Sequence, residues 1–85
     1  MSRATKADQL VGANVRKLRL LQGLEQRHIA AAMAMTHPTW SPPTVSEIER
    51  GRRAVTVGEL VDLAHILGVQ ATLLLAERLD VTEGR

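Results

Sequence analysis

The stretch Thr44-Val45-Ser46-Glu47-Ile48-Glu49-Arg50-Gly51, with Arg52 and Arg53 directly after it, holds the densest set of interaction-capable side chains in this 85-residue sequence. What it offers is hydrogen bonding and charge pairing, not bond breaking. Val45 and Ile48 lie three residues apart and share one helical face, so Thr44, Ser46, Glu47 and Arg50 point elsewhere. Gly51 supplies a left-handed stop, and three arginines gather at the helix exit. Such a helix is a poor enzyme site and a fitting surface for a nucleic-acid backbone.

Nothing else in the chain competes with it. His28, His37 and His65 are scattered, with no second histidine at ligand spacing, so no metal site is expected. No nucleophile–base pair, carboxylate dyad or Gly-rich phosphate loop can be found, so neither catalysis nor a cofactor is expected. Cysteine is absent, which excludes disulfides and thiolate metal sites and leaves the redox compartment open.

The bulk composition limits what can position that helix. Eighty-five residues make one small domain, and an apolar fraction of 45% is ample for its core. Trp40 is the only aromatic residue, so the core must be Leu, Val, Ile, Met and Ala, which favours packed helices over a sheet. Net charge is only +2, but it is unevenly spread. Residues 1–53 carry nine Lys and Arg against four acids (+5), while residues 54–85 carry two against five (−3). The basic part contains the polar helix, as an electrostatic footprint for phosphates requires. An ordinary solvated surface fits so small an asymmetry equally well. No apolar run approaches the roughly 20 residues that span a bilayer, and no signal-peptide core is present, so a cytoplasmic, nucleoid-associated protein with no membrane partner is expected.

Five helices account for the periodicity. After a loose tail at 1–5, a first helix covers about 6–22, opened by Thr5 with Asp8 three residues on. Leu10, Val11, Val15 and Leu18 mark its inner face, and Gly23 ends it. A second helix from about 25 to 34 buries Ile29, Ala30 and Met33. A loop over 35–40 follows, where His37-Pro38 blocks helical continuation. Ser41-Pro42 starts the third helix, with a hydroxyl cap and then a proline where no amide donor is needed. Thr56-Val57-Gly58-Glu59 fits a capping box opening a fourth helix that runs to Leu67 and stops at Gly68. Leu60, Leu63, Ala64 and Leu67 are its apolar stripe. A fifth helix covers 71–79, and 80–85 should fray. The expected fold is a compact all-α bundle of five short helices spanning 6–79.

With the helices placed, residues 11–75 resemble the Cro/repressor-type (XRE) helix-turn-helix family, whose fold is lambda-repressor-like. The resemblance rests on Val11-Gly12, Val15-Arg16, Leu18-Arg19, Gly23-Leu24-Glu25-Gln26 and Ile29-Ala30. It continues through Thr44-Val45-Ser46, Ile48-Glu49-Arg50-Gly51 and Leu63-Ala64 to Leu67-Gly68-Val69. Each fragment alone is weak, whereas their order and spacing together are specific. Trp40-Ser41 and the run Arg52 to Val57 are most similar to regulators of actinobacteria and their phages.

The resemblance implies a sequence-specific transcriptional regulator of repressor type, binding double-stranded DNA as a homodimer with its third helix in the major groove. It places Gln26 and Arg27 at the start of the second helix, where Gln26 contacts a phosphate and braces the third helix. Thr44 falls at a backbone-contacting position, while Ser46 and Glu47 fall on the base-facing side, where Glu accepts from cytosine N4. Glu47 as a plain surface residue stays open. Pro42 and Pro43 occupy the first reading positions and offer only contact with a thymine methyl or a sugar. Arg50, Arg52 and Arg53 would contact phosphates or reach a groove at the helix exit. Arg19 and Glu49 match a pair that forms an internal salt bridge in the family. The alternative is the same fold used as an antitoxin or adaptor, acting through a protein partner.

Several choices remain open on the sequence. The link between Met33 and Trp40 is about five residues longer than the family's tight turn, and 34–39 is either a passive loop or a wing with added contacts. Trp40 is a core anchor or a base-stacking wedge. Leu73, Leu74 and Leu75 are tight packing or a dimer face. Arg16 and Lys17 on the first helix are either merely solvated or given a role that the sequence does not specify.

Overall fold

A computed structural model describes residues 4–78. Five helices are present: α1 (Lys6–Leu21), α2 (Gln26–Met33), α3 (Pro42–Glu49), α4 (Val57–Leu67) and α5 (Ala71–Leu74). No strand occurs among the described residues, so the Ala54-Val55 segment is a connector. The expected tail is described only at Ala4 and Thr5, and both Leu79 and the expected frayed end at 80–85 lie outside the described residues.

Helix starts follow local chemistry. Thr5 and Asp8 close a reciprocal cap on α1, the Thr5 hydroxyl accepting from Asp8 N (3.2 Å) and the Asp8 carboxylate from Thr5 N (2.7 Å). Thr56 and Glu59 do the same for α4, at 3.1 and 3.0 Å. Asp8 also accepts from Val55 N (2.9 Å), which pins the connector before α4 to the start of α1.

The core is aliphatic apart from one ring. Val11, Val15, Leu18, Ile29, Ala30, Met33, Val45, Ile48, Leu63, Ala64, Leu67 and Leu74 surround buried Trp40. Leu10 is only half-buried, because the buried stripe of α1 runs through 11, 14, 15 and 18 and leaves position 10 on its flank. α3 packs on α1 and α2, α4 closes the other side of α2, and α5 seals against α1 and α4.

Gly12 makes the α1–α3 contact possible. A Cβ there would sit 1.9 Å from the Ile48 carbonyl oxygen, so only glycine lets α1 approach the α3 backbone.

α5 is shorter than the expected 71–79. The amide nitrogen of buried Asn14 lies 2.9 Å from both the Leu74 and Ala76 carbonyls and 3.4 Å from that of Leu73. Carbonyls turned towards this α1 side chain satisfy their bonding there and do not continue the helix. Of the three leucines, Leu74 is fully buried, Leu73 packs at the core edge and Leu75 is exposed.

Candidate nucleic-acid interface

The underside of α3 is apolar and closed. Val45 and Ile48 each retain 1% exposure. The other side carries Pro42, Pro43 and Arg50, all exposed, with Ser46 and Glu47 partly exposed. The two prolines are the first two residues of the helix, where backbone N–H groups have no helical acceptor, so they cost α3 no bond. The Thr44 hydroxyl turns back on the cap, 3.2 Å from Ser41 N and 3.3 Å from Ser41 Oγ.

Glu49 locks α3 in place. Arg19 of α1 meets it through two bonds, Nε to Oε2 at 2.7 Å and Nη2 to Oε1 at 3.1 Å. Gln26, the first residue of α2, adds Nε2 to Oε1 at 3.0 Å. Arg19 also donates from Nη1 to the Leu24 carbonyl (2.8 Å), so α1, the α1–α2 turn, α2 and α3 meet at one carboxylate. The pair is largely removed from water, at 10% and 2% side-chain exposure. The Arg19 pKa is raised, chiefly by its hydrogen bond to Glu49.

α3 ends at Gly51, whose φ of 73° is the left-handed region that favours glycine. Gly51 N donates to the Ile48 carbonyl (2.9 Å) and Arg52 N to the Glu47 carbonyl (2.9 Å), the paired bonds of a Schellman stop. The turn throws Arg52 outward, where its guanidinium comes no closer than 3.9 Å to Glu47. That distance leaves both groups available to a ligand.

Arg53, expected beside Arg50 and Arg52 as a phosphate ligand, closes its two terminal nitrogens as a fork on Glu59 of α4, each at 3.0 Å. The guanidinium carbon also lies 5.3 Å from the centre of the Trp40 ring, and Trp40 Nε1 donates to the same carboxylate at 3.0 Å. Burial pushes the Glu59 carboxyl up, but Arg53, Thr56 N and Trp40 together bring it down to about 2. Trp40 is therefore a core anchor, and Arg53 fastens the end of the α2–α3 link to α4. Sequence reasoning missed Glu59 as the partner because its cap role at Thr56 already accounted for it.

The link at 34–39 is also tied down. Thr36 Oγ1 donates to Asp62 of α4 (3.0 Å), and His37 Nε2 sits 2.8 Å from the same oxygen, Oδ2. Spacing along the chain gave no sign of this His–Asp pair, 25 residues apart. Both hydrogen bonds hold Asp62 below the usual carboxylate range, His37 first. Arg27 is exposed and paired with exposed Glu25 at 2.7 Å, a surface bridge of small energetic weight. Among the described residues no group of three or more His, Asp or Glu could hold a metal ion, and no helix is long and apolar enough to cross a membrane.

A polar cleft of about 380 Å³ lies between α1, the start of α2 and α3, lined by Arg16, Arg19, Gln26, Ser46, Glu49 and Arg50. Ser46 therefore faces this cleft, whereas Glu47 turns to the Arg52 side.

Residues 10–77 match the family described as the helix-turn-helix domain. The chain belongs to that family. A curated relative in Sinorhizobium fredii, an uncharacterized HTH-type transcriptional regulator named y4dJ, is 41% identical over 61 residues, which is 72% of this chain and 73% of the relative. The clp gene regulator ClgR from Corynebacterium glutamicum superimposes with a TM-score of 0.73 at 30% identity, covering 85% of this chain and 71% of that one. The BldD DNA-binding domain from S. venezulae gives 0.64 at 33% identity, covering 85% of this chain and all (100%) of that one.

Proposed function

We propose that this protein, a DNA-binding regulator of transcription, acts by inserting α3 in the major groove, with the turn after α3 and the start of α2 against the flanking backbone. The observation that carries this reading is the two-sidedness of α3: an inner face at 1% exposure beneath an outward rim of Pro42, Pro43, Glu47 and Arg50. Family membership and the similarity to ClgR and BldD support it.

Within it, Glu47 is the base-reading side chain, accepting from cytosine N4. Ser46 lines the α1–α3 cleft and so, in place of its expected base-facing role, holds backbone together with Thr44, Gln26, Arg27, Arg50 and Arg52, while the prolines offer apolar contact alone. Arg53 acts indirectly, by fixing the turn that aims Arg52. Direct base reading is thin, so sequence-dependent DNA shape carries part of the specificity. Repression is the regulatory sense proposed. The protein binds as a homodimer to two half-sites roughly 34 Å apart, one helical turn of DNA.

Fluorescence anisotropy on a duplex selected from a random pool, repeated across salt concentrations, tests this. Affinity should fall by close to one decade per decade of salt for each phosphate neutralised. A flat salt response with equal affinity for every duplex would transfer the fold to protein–protein contact and overturn the reading.

A further inference from the structure

Arg16 lines the cleft beside α3, although nothing in the sequence marked it beyond a match to the family pattern. It lies three residues before Arg19, one turn away on the same side of α1. Arg19 is consumed by Glu49 and the Leu24 carbonyl. Arg16 is exposed and, among the described residues, meets no carboxylate within 4.0 Å; the same holds for Arg50 at the end of α3. Both line the polar cleft. The one carboxylate there, Glu49, already accepts from Arg19 on both oxygens and from Gln26 on one. Its charge is therefore cancelled, and the cleft carries a surplus of two guanidinium groups. The Ser46 hydroxyl and the Gln26 amide add neutral donors to its wall.

A surplus of positive charge walled by donors beside α3 fits a tetrahedral oxyanion, and a backbone phosphodiester is the one a DNA-bound α3 brings there. We propose that Arg16 and Arg50 clamp a single DNA phosphate between them across the α1–α3 cleft. This rests on the DNA-binding reading and adds to it a ligand from α1. One phosphate fixed from α1 and α3 at once sets how deeply α3 enters the groove, because α1 and α3 are locked through Gly12 and the Arg19–Glu49 bond.

The test compares wild type, Arg16→Ala, Arg50→Ala and the double variant on one selected duplex. Two arginines on the same phosphate neutralise one charge, so the double variant should lose about 0.9 in log–log salt slope. Arginines on separate phosphates would lose about 1.8. Each single variant should weaken binding on the order of tenfold at fixed salt, and the two losses should not add. Lys17→Ala, on the next residue but outside the cleft, should combine additively with Arg50→Ala. Slope losses that add to about 1.8 in the double variant, unchanged affinity in Arg16→Ala, or equal coupling from Lys17 would each overturn the clamp while leaving DNA binding intact. Saturable binding of inorganic phosphate alone, with an unchanged DNA slope in the double variant, would make the cleft a free-anion site and also overturn it. Failure of the wild type to bind any duplex would remove the DNA reading itself, and the clamp with it. All the replaced side chains are exposed, and circular dichroism melts check that the fold survives.

Discussion

Two arginine–carboxylate forks hold this molecule, and they are not equivalent. Arg19–Glu49 joins residues 30 apart, with both side chains almost free of water. Arg53–Glu59 joins residues six apart, and Arg53 keeps 35% of its side chain exposed. The first ties three helices beneath the outward face of α3, whereas the second ties a loop and a ring to α4. The same pair of groups thus serves as a keystone in one place and a clasp in the other. Burial of both partners decides which.

Breaking the keystone gives the largest expected effect. Glu49→Ala leaves Arg19 charged in a site with almost no water and removes the acceptor for Gln26, so unfolding free energy should fall by about 3–5 kcal/mol. Urea denaturation measures it; a loss under about 1 kcal/mol would mean that solvent reaches the pair and the contrast with Arg53 is false. Gly12→Ala attacks the same junction by steric means. Its methyl group would fall 1.9 Å from the Ile48 oxygen, and prising α1 from α3 should cost about 3 kcal/mol, the upper part of the usual overpacking range. The second fork should survive that change, so the Trp40 fluorescence of the folded state should stay close to that of wild type.

The clasp is best broken with acid. The Glu59 carboxyl ionises near 2 in the folded chain against an ordinary 4.5, so the unfolded state takes up a proton first as pH falls. Its contribution is complete above about pH 4.5, fades between there and pH 2, and amounts to about 3 kcal/mol. Glu59→Gln should lower stability at pH 7 by roughly that much and flatten the decline between pH 4.5 and 2. An equally steep acid limb in the variant would assign the decline to another carboxylate, with Asp8 first in line because its bonds to Thr5 and Val55 also lower its pKa.

The difference between the forks also explains what the sequence made legible. Helix starts were readable because caps act over three residues: Thr5–Asp8 and Thr56–Glu59 announce themselves. The α3 core face was readable because Val45 and Ile48 obey the helical period. Glu49 could be paired with Arg19 through resemblance to a family, since nothing in a span of 30 residues specifies such a contact locally. Arg53 hid its fork with Glu59 for the converse reason. Next to Arg52 on the chain it looks like part of one basic run, and only the backbone turn after Gly51 sends the two side chains to opposite partners. The Asn14 bonds to the 73–76 carbonyls, the His37–Asp62 contact and the Arg16 cleft were hidden in the same way. Each depends on where a distant helix arrives.

DNA binding should separate the adjacent arginines that the chain itself does not. Arg52→Ala removes an exposed cation with only a loose contact to Glu47, so it should weaken binding to all sequences alike and lower the salt slope by about one unit. Arg53→Ala should instead lower stability and leave the slope within error of wild type. Equal slope losses from both would return Arg53 to the phosphate-contacting set.

The smallest expected effect is the most selective. Glu47 is held by nothing stronger than the 3.9 Å approach of Arg52, and it stands on the side of α3 away from the cleft. A carboxylate so placed cannot favour phosphate, so any contribution to affinity must come from an amino group on a base edge. Glu47→Ala should therefore leave fold and salt slope unchanged while shifting preference among duplexes by about 1–3 kcal/mol at one base pair. Removal of a negative charge near the backbone should also raise affinity slightly for duplexes lacking that base pair. A uniform gain across all sequences, with no change in preference, would show that Glu47 only repels phosphate and that α3 reads its site through DNA shape.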